Sequence, residues 1–254
     1  MEYEGCIVVY SHTDFSDLLQ IQTDKLKGIN LRKILFINKN ENHYKDYDQV
    51  CFYDDYLPYA SKLKRCLDQV EEDKLLFIHD NDILIDMDLE FINRLSTLMD
   101  EEGINKIDLK DSPYDKHPSI ASISGIDVLC QSDVNQYIYN VNPSLWRKEY
   151  FYRIVSNFPN ASYRDIESFP VQHFCREFNF AVLKSLNPLK CGYFECNSFF
   201  KFLHITHSRV LLRLNDECVN SQGQSYIDLK EDYKKIVQDY NLRDSNMWDN
   251  LSNG

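Results

Sequence analysis

The sequence predicts an α/β protein with a central, mostly parallel sheet flanked by helices on both faces. Three observations lead there. Short apolar runs alternate with longer amphipathic ones through the first hundred residues. The apolar runs are continuous, as expected of strands covered on both faces. Polar clusters follow two of those runs directly, at positions 11–14 and 79–82, where sheets of this kind bind ligands.

In chain order, Cys6-Ile7-Val8-Val9-Tyr10 is the first buried strand, and the polar turn Ser11-His12-Thr13-Asp14 ends it. Apolar residues at 15, 18, 19, 21 and 26 then give one face of a helix. Ile34-Leu35-Phe36-Ile37 and Val50-Cys51-Phe52-Tyr53 are the second and third strands. Between 58 and 70 the spacing of Tyr59, Leu63, Cys66, Leu67 and Val70 is helical. Leu75-Leu76-Phe77-Ile78 is the fourth strand and runs straight into His79-Asp80-Asn81-Asp82. A helix is expected over 89–99, a polar loop over 106–118 and mixed strand character over 126–139. Asn142-Pro143-Ser144 marks a turn before Leu145-Trp146. The remaining expectations are a helix over 169–180, a strand over 199–203 leading to His204 and His207, a charged helix over 227–240, and a frayed end.

The 254 residues are 43% hydrophobic and 27% charged, ordinary for a globular protein with a sizeable core. A net charge of −12 disfavours nucleic acid or an anionic membrane as a partner. It leaves room for one anionic small molecule held locally by a cation. No apolar run approaches the roughly 20 residues that span a bilayer. The acidic start, Met1-Glu2-Tyr3-Glu4, lacks the basic region of a signal peptide, so a cytoplasmic protein is expected. The eight cysteines form no CxxC pair, and several stand in apolar runs, which favours buried reduced thiols.

Four features could carry chemistry. Asp80 and Asp82, two apart just past a strand, are suited to a hard divalent cation that completes its shell with water and phosphate oxygens. The bland alternative for such a tripeptide is a solvated turn; the flanking apolar runs favour the metal. His204 and His207 could add an imidazole ligand, with ordinary core or surface histidines as the alternative. Asp165 and Glu167 could supply a general base toward a hydroxyl, or could be acidic residues suited to a helix start. Lys62, Lys64 and Arg65 could neutralise a diphosphate, or could form a solvated helix face. No Gly-rich phosphate loop is present.

Taken together, Ile7 to Asp14, Tyr53-Asp54-Asp55 to Leu67, Leu75 to Asp86 with its D-x-D, Asn142-Pro143-Ser144-Leu145-Trp146 and Asp165-Ile166-Glu167 resemble the small GT-A glycosyltransferases. These include enzymes of large algal DNA viruses and related bacterial proteins. The resemblance implies a GT-A (Rossmann-like) fold and metal-assisted transfer of a sugar from a nucleoside diphosphate, of UDP or GDP type, to a glycan or glycoprotein acceptor. By that analogy Asp80 and Asp82 hold Mn2+ or Mg2+, while Tyr10, Ser11, His12 and Asp14 border the nucleoside. Trp146 faces the acceptor, and Glu167 or Asp165 is the base of an inverting reaction. A single catalytic domain over 1–245 is implied, with a nucleotide half to about residue 100, an acceptor half beyond it, and a frayed tail at 246–254. If the protein is viral, the host cytoplasm is implied. The competing expectations are a metal phosphohydrolase or nuclease, and a non-catalytic nucleotide-sugar-binding module.

Overall fold

A computed structural model describes residues 3–40, 44–109, 118–130, 138–185, 200–204 and 238–240. Apart from the strand Asp82–Met87, the elements in the first hundred residues fall where the pattern places them. They are β1 (Cys6–Tyr10), α1 (Ser16–Leu26), β2 (Arg32–Ile37), β3 (Gln49–Phe52), α2 (Tyr59–Leu67), β4 (Lys74–His79), β5 (Asp82–Met87) and α3 (Leu89–Glu101). Asp88 caps α3, its side chain accepting from the amides of Glu90 (2.8 Å) and Phe91 (3.0 Å). Beyond them come β6 (Lys106–Asp108), β7 (Ser119–Ile123), β8 (Ile126–Cys130), β9 (Ser144–Arg147), α4 (Lys148–Asn157), α5 (Phe169–Cys175), β10 (Phe180–Ser185) and β11 (Phe200–His204).

Nine strands form one sheet in the order β3-β2-β1-β4-β9-β6-β10-β8-β7, and β11 pairs with β5 in a second, two-stranded sheet. β1 lies parallel to both β2 and β4, β2 is parallel to β3, and β6 is parallel to β10. β9 and β8 run against their neighbours, so the sheet is mostly parallel with two reversed strands. Chain order reverses between β1 and β4, the arrangement that opens a crevice beyond the carboxyl ends of those two strands.

Both faces are covered, and the period-2 alternation of the strands decides which side chain goes where. Ile7 and Val9 of β1 pack in one core with residues of α1 (Leu19, Leu26) and α3 (Phe91, Leu95). Cys6 and Val8 pack in the other with α2 (Leu63, Cys66), α4 (Phe151, Ile154) and α5 (Val171, Cys175). A strand that must serve two cores has no polar position to spare, which explains the continuous apolar runs. Cys6, Cys51, Cys66, Cys130 and Cys175 are free thiols, four of them buried.

Several expectations need correcting beyond residue 100. The span 106–118 opens with strand β6, because Ile107 fills a central position between β9 and β10. The helix expected over 169–180 stops at Cys175, and Phe180 begins β10. Strands β5 and β7 and helix α4 had no counterpart in the sequence reading. β7 and β8 form a hairpin whose turn, Ser124-Gly125, has positive φ at both positions (51° and 82°), as a two-residue turn of matching twist requires. Residues 131–137, 205–237 and 241–254 lie outside the described residues, and with them His207, nearly all of the expected 227–240 helix and the expected frayed end. Among the described residues no helix is long and apolar enough to cross a membrane.

Candidate active site at the switch point of the sheet

β1 and β4 end side by side, with Tyr10 in register with His79. The ladder continues one residue further, through the Asp80 amide to the Tyr10 carbonyl (2.9 Å) and the Ser11 amide to the Phe36 carbonyl (3.0 Å). That extension fixes the backbones of Ser11 and Asp80, and the Ser11 hydroxyl donates to Asp80 Oδ2 at 2.7 Å. Ser11, Asp80 and Asp82 are all buried, with Asp80 3% and Asp82 5% exposed. Asp82 opens β5, and the β5–β11 register sets the His204 backbone opposite it.

Around these tips stands a wall of aromatic rings. Tyr10 stacks on Tyr53 with centroids 5.2 Å apart and planes 10° apart, and the Tyr53 hydroxyl donates to the Ser11 carbonyl at 2.6 Å. Tyr59 meets Tyr10 edge-on, and its hydroxyl pairs with His79 Nε2 at 2.7 Å. Tyr163 reaches in from the second half of the chain, 5.2 Å from the Tyr59 ring and 5.5 Å from His79.

The rim on the β1–β3 side is polar. His12 Nδ1 accepts from the Asp14 amide at 3.0 Å, so the ring proton sits on Nε2, which donates to Asp55 Oδ1 at 3.0 Å. Asn38 donates to Asp55 Oδ2 (2.8 Å) and accepts from the Thr13 amide (2.9 Å). Lys62 Nζ lies 3.9 Å from Asp55 and 5.1 Å above the Tyr53 ring. Arg65 is exposed in the last turn of α2, a turn further from the strand tips.

Carboxylates from both halves of the chain converge on Tyr163. Tyr163 is 49% exposed, but partial desolvation of its phenol, then the negative charges of Asp82, Glu167 and Asp80, push it above the usual range. Glu167 is half-buried on a short 3-10 turn, and its Oε1 accepts the Val141 amide at 2.7 Å. Asp165 is exposed and does something else. Its Oδ2 accepts from the Ser162 hydroxyl (2.6 Å) and amide (3.2 Å), which lowers its pKa and closes the turn before Glu167. Trp146 does not face an opening: it is 2% exposed and stacks on Phe151 at 4.7 Å, inside the core. Its place in β9, next to β4 and β6, explains this, since a central strand cannot project a large ring to solvent.

Tyr10, Ser11, Asp80 and Asp82 thus stand at the ends of β1, β4 and β5, with His12 and Lys62 on the polar rim and Glu167 beyond Tyr163, whereas Asp165 and Arg65 are exposed and Trp146 lies in the core. Asn38, Asp55, Tyr53, Tyr59 and Tyr163 contact the residues around these strand ends and were not singled out as candidates from sequence. The signal for three of them was available in Tyr53-Asp54-Asp55 and Tyr59, a polar-aromatic stretch at a strand tip.

No protein-family model matches the chain, and no curated protein matches it in sequence. Solved structures that share part of its shape include a 1–349 fragment of S. aureus TarS in complex with UDP-GlcNAc. That fragment is 12% identical over 78% of this chain, with a TM-score of 0.46. A cytidylyltransferase from Leptospira borgpetersenii is 10% identical over 92% of this chain and 97% of its own, with a TM-score of 0.48. The glycosyltransferase GlyE of Streptococcus pneumoniae is 12% identical over 71% of this chain and 45% of its own, with a TM-score of 0.44. The chain spans 58% of the length of the TarS fragment.

Proposed function

We propose that the protein is a metal-dependent glycosyltransferase. In this reading it moves a sugar from a nucleoside diphosphate of UDP or GDP type to a glycan hydroxyl, with inversion. One observation carries the reading: the Ser11–Asp80 bond at the switch point of the sheet, with Asp82 two residues on and Glu167 across Tyr163. Buried carboxylates at the place where a diphosphate would sit repel it unless a cation intervenes. The donor set suits a hard ion, since Asp80 and Asp82 offer oxygens. Between them, Asn81 Oδ1 is buried with no hydrogen-bond partner among the described residues. Those residues contain no group of three His, Cys, Asp or Glu side chains arranged for a metal. Phosphate oxygens, water and His204 or His207 would complete the shell. When bound, Mn2+ or Mg2+ supplies charge neutralisation at the departing diphosphate.

The chain's own residues supply the rest. The Tyr10–Tyr53 stack with His12, Asn38 and Asp55 would border the nucleoside, and Lys62 stands nearby as a second positive charge. Glu167 would take the acceptor proton as the acceptor oxygen bonds to the anomeric carbon. The bond from that carbon to the diphosphate oxygen breaks on the opposite face, and its electron pair leaves with the nucleoside diphosphate. The donor would thus meet residues to about 100 and the acceptor those beyond, in one catalytic domain working in the cytoplasm.

The test is a thermal-shift screen of UDP- and GDP-sugars with and without Mn2+. A donor at 100 times its Kd adds about 2.7 kcal/mol to the native state, and that gain is expected only with the metal present. Asp82→Asn should abolish both the gain and turnover while the protein stays folded. Equal stabilisation without metal, or full turnover in that variant, overturns the reading.

A further inference from the structure

Glu167 stands on a three-residue turn and bonds the strip Tyr139-Asn140-Val141, whose first two residues are held by the buried Gln172 and Lys106. At Tyr139, the Gln172 amide makes a strand-like pair, accepting from the Tyr139 amide (2.8 Å) and donating to its carbonyl (2.6 Å). The same Gln172 nitrogen donates to the Glu167 carbonyl at 3.1 Å. At Asn140, the Lys106 ammonium donates to both the backbone carbonyl and the side-chain oxygen, each at 3.1 Å. At Val141, the amide donates to Glu167 Oε1 at 2.7 Å.

The Lys106 anchor is itself tightly built. Lys106 is 0% exposed, forms an ion pair with Asp108, and has the rings of Tyr139, Trp146 and Phe180 5.2–5.8 Å from its nitrogen. Trp146 and Phe180 are its direct register neighbours on β9 and β10. Asp108 in turn accepts from Ser144 (2.8 Å) and from the Asn140 amide group (3.0 Å). A lysine in mid-sheet forfeits its hydration and must be fully satisfied to persist. Among the described residues, its polar contacts go to Asp108 and to Asn140, the residue beside the one that bonds Glu167. The Val141 amide occupies one Glu167 oxygen, and the other makes no hydrogen bond among the described residues.

We propose that Gln172 and the Lys106–Asn140 pair are positioning residues. They hold the 139–141 strip so that Val141 fixes one oxygen of Glu167 and leaves the other for the acceptor hydroxyl. This rests on Glu167 being the base of the reaction proposed above. Among the described residues the strip's hydrogen bonds run to β6, Gln172 and Glu167 and none to the ends of β1 or β4, so its effect is expected on the turnover step and not on donor binding.

The experiment is a double-mutant cycle on the full chain with Mn2+ and whichever UDP- or GDP-sugar stabilises it. Turnover is read as nucleoside diphosphate release. Gln172→Leu should lower kcat about 10- to 100-fold, the scale of an ångström's misplacement, with donor KM and the metal-dependent thermal shift unchanged. In a Glu167→Gln background the same change should cost nothing further, because the group it positions is gone. Undiminished kcat in Gln172→Leu, or an equal loss in both backgrounds, overturns the proposal. Asn140→Ala, which is half-buried and removes less, makes the same test if Gln172→Leu does not fold. Full turnover in Glu167→Gln alone would instead remove the base assignment, and the positioning role with it.

Discussion

The two halves of the sheet solve the placement of a candidate carboxylate in different ways. In the first, Asp80 is aimed by the main chain: parallel strands end in register and the backbone ladder runs one residue past them. In the second, Glu167 is aimed by side chains. It stands on a short turn, and a glutamine amide and a buried lysine hold the loop that bonds it. A main-chain device tolerates any apolar strand that keeps its register. A side-chain device depends on a few particular polar residues, each costly to bury and costly to lose.

The largest test of that contrast is Trp146→Ala. The ring fills the second half's core against Phe151 and beside Lys106, so its loss should cost about 3–5 kcal/mol in denaturant unfolding. A selective rise in acceptor KM with unchanged stability would return Trp146 to an acceptor role and break the contrast. Ser11→Ala comes next. It leaves Asp80's backbone in place but removes a hydrogen bond to a buried carboxylate, which is worth about 1.5–3 kcal/mol. Weaker metal-dependent donor binding with a nearly unchanged fold is expected; a collapse of the fold would mean that side chains, not the ladder, aim the first half too.

The contrast also explains what was legible. β1 to β4 were read within a residue or two because each buried strand is an unbroken apolar run ending in a polar cluster, as at Ile78-His79-Asp80. The second half hides its strands. β6 is Lys106-Ile107-Asp108, which looks like a polar loop until the lysine and aspartate are seen to neutralise each other inside the sheet. Ser124-Gly125 was the local signal of the β7–β8 hairpin and went unread. Asp165 and Glu167 were both candidate bases from sequence, and nothing local separates the two. The contact that distinguishes Glu167 is the Val141 amide, 26 residues away.

Gly125→Ala probes that unread hairpin. Nothing lies within 4 Å of an added Cβ, so the only penalty is the positive φ of 82°. The expected cost is about 1–2 kcal/mol, read as a lower melting temperature with unchanged donor binding, since the hairpin is at the far edge of the sheet from β1. A change in donor affinity would show that the two halves are energetically joined.

The smallest effect concerns the seam itself. Lys74 of β4 bonds Asp100 Oδ2 at 2.6 Å, and Arg147 of β9 bonds Oδ1 at 2.7 Å, so one carboxylate at the end of α3 ties a strand of each half together. The Lys74 bond, together with the positive charges of Lys74 and Arg147, holds the Asp100 carboxyl below its ordinary 3.8. A carboxyl depressed in the folded state contributes stability above its unfolded pKa and loses it as the pH falls through the folded one. Because the Asp100 side chain is 54% exposed, solvent screening limits the contribution to about 0.2–1 kcal/mol. Asp100→Asn should therefore melt slightly earlier than the parent at pH 7, and the gap should close as the pH is lowered below 3.8. Arg147 keeps its bonds to the Met99 and Ile104 carbonyls in that variant, so the halves should stay docked. A gap that persists unchanged into acid would mean that the seam is held by packing at Asp100 and not by its charge.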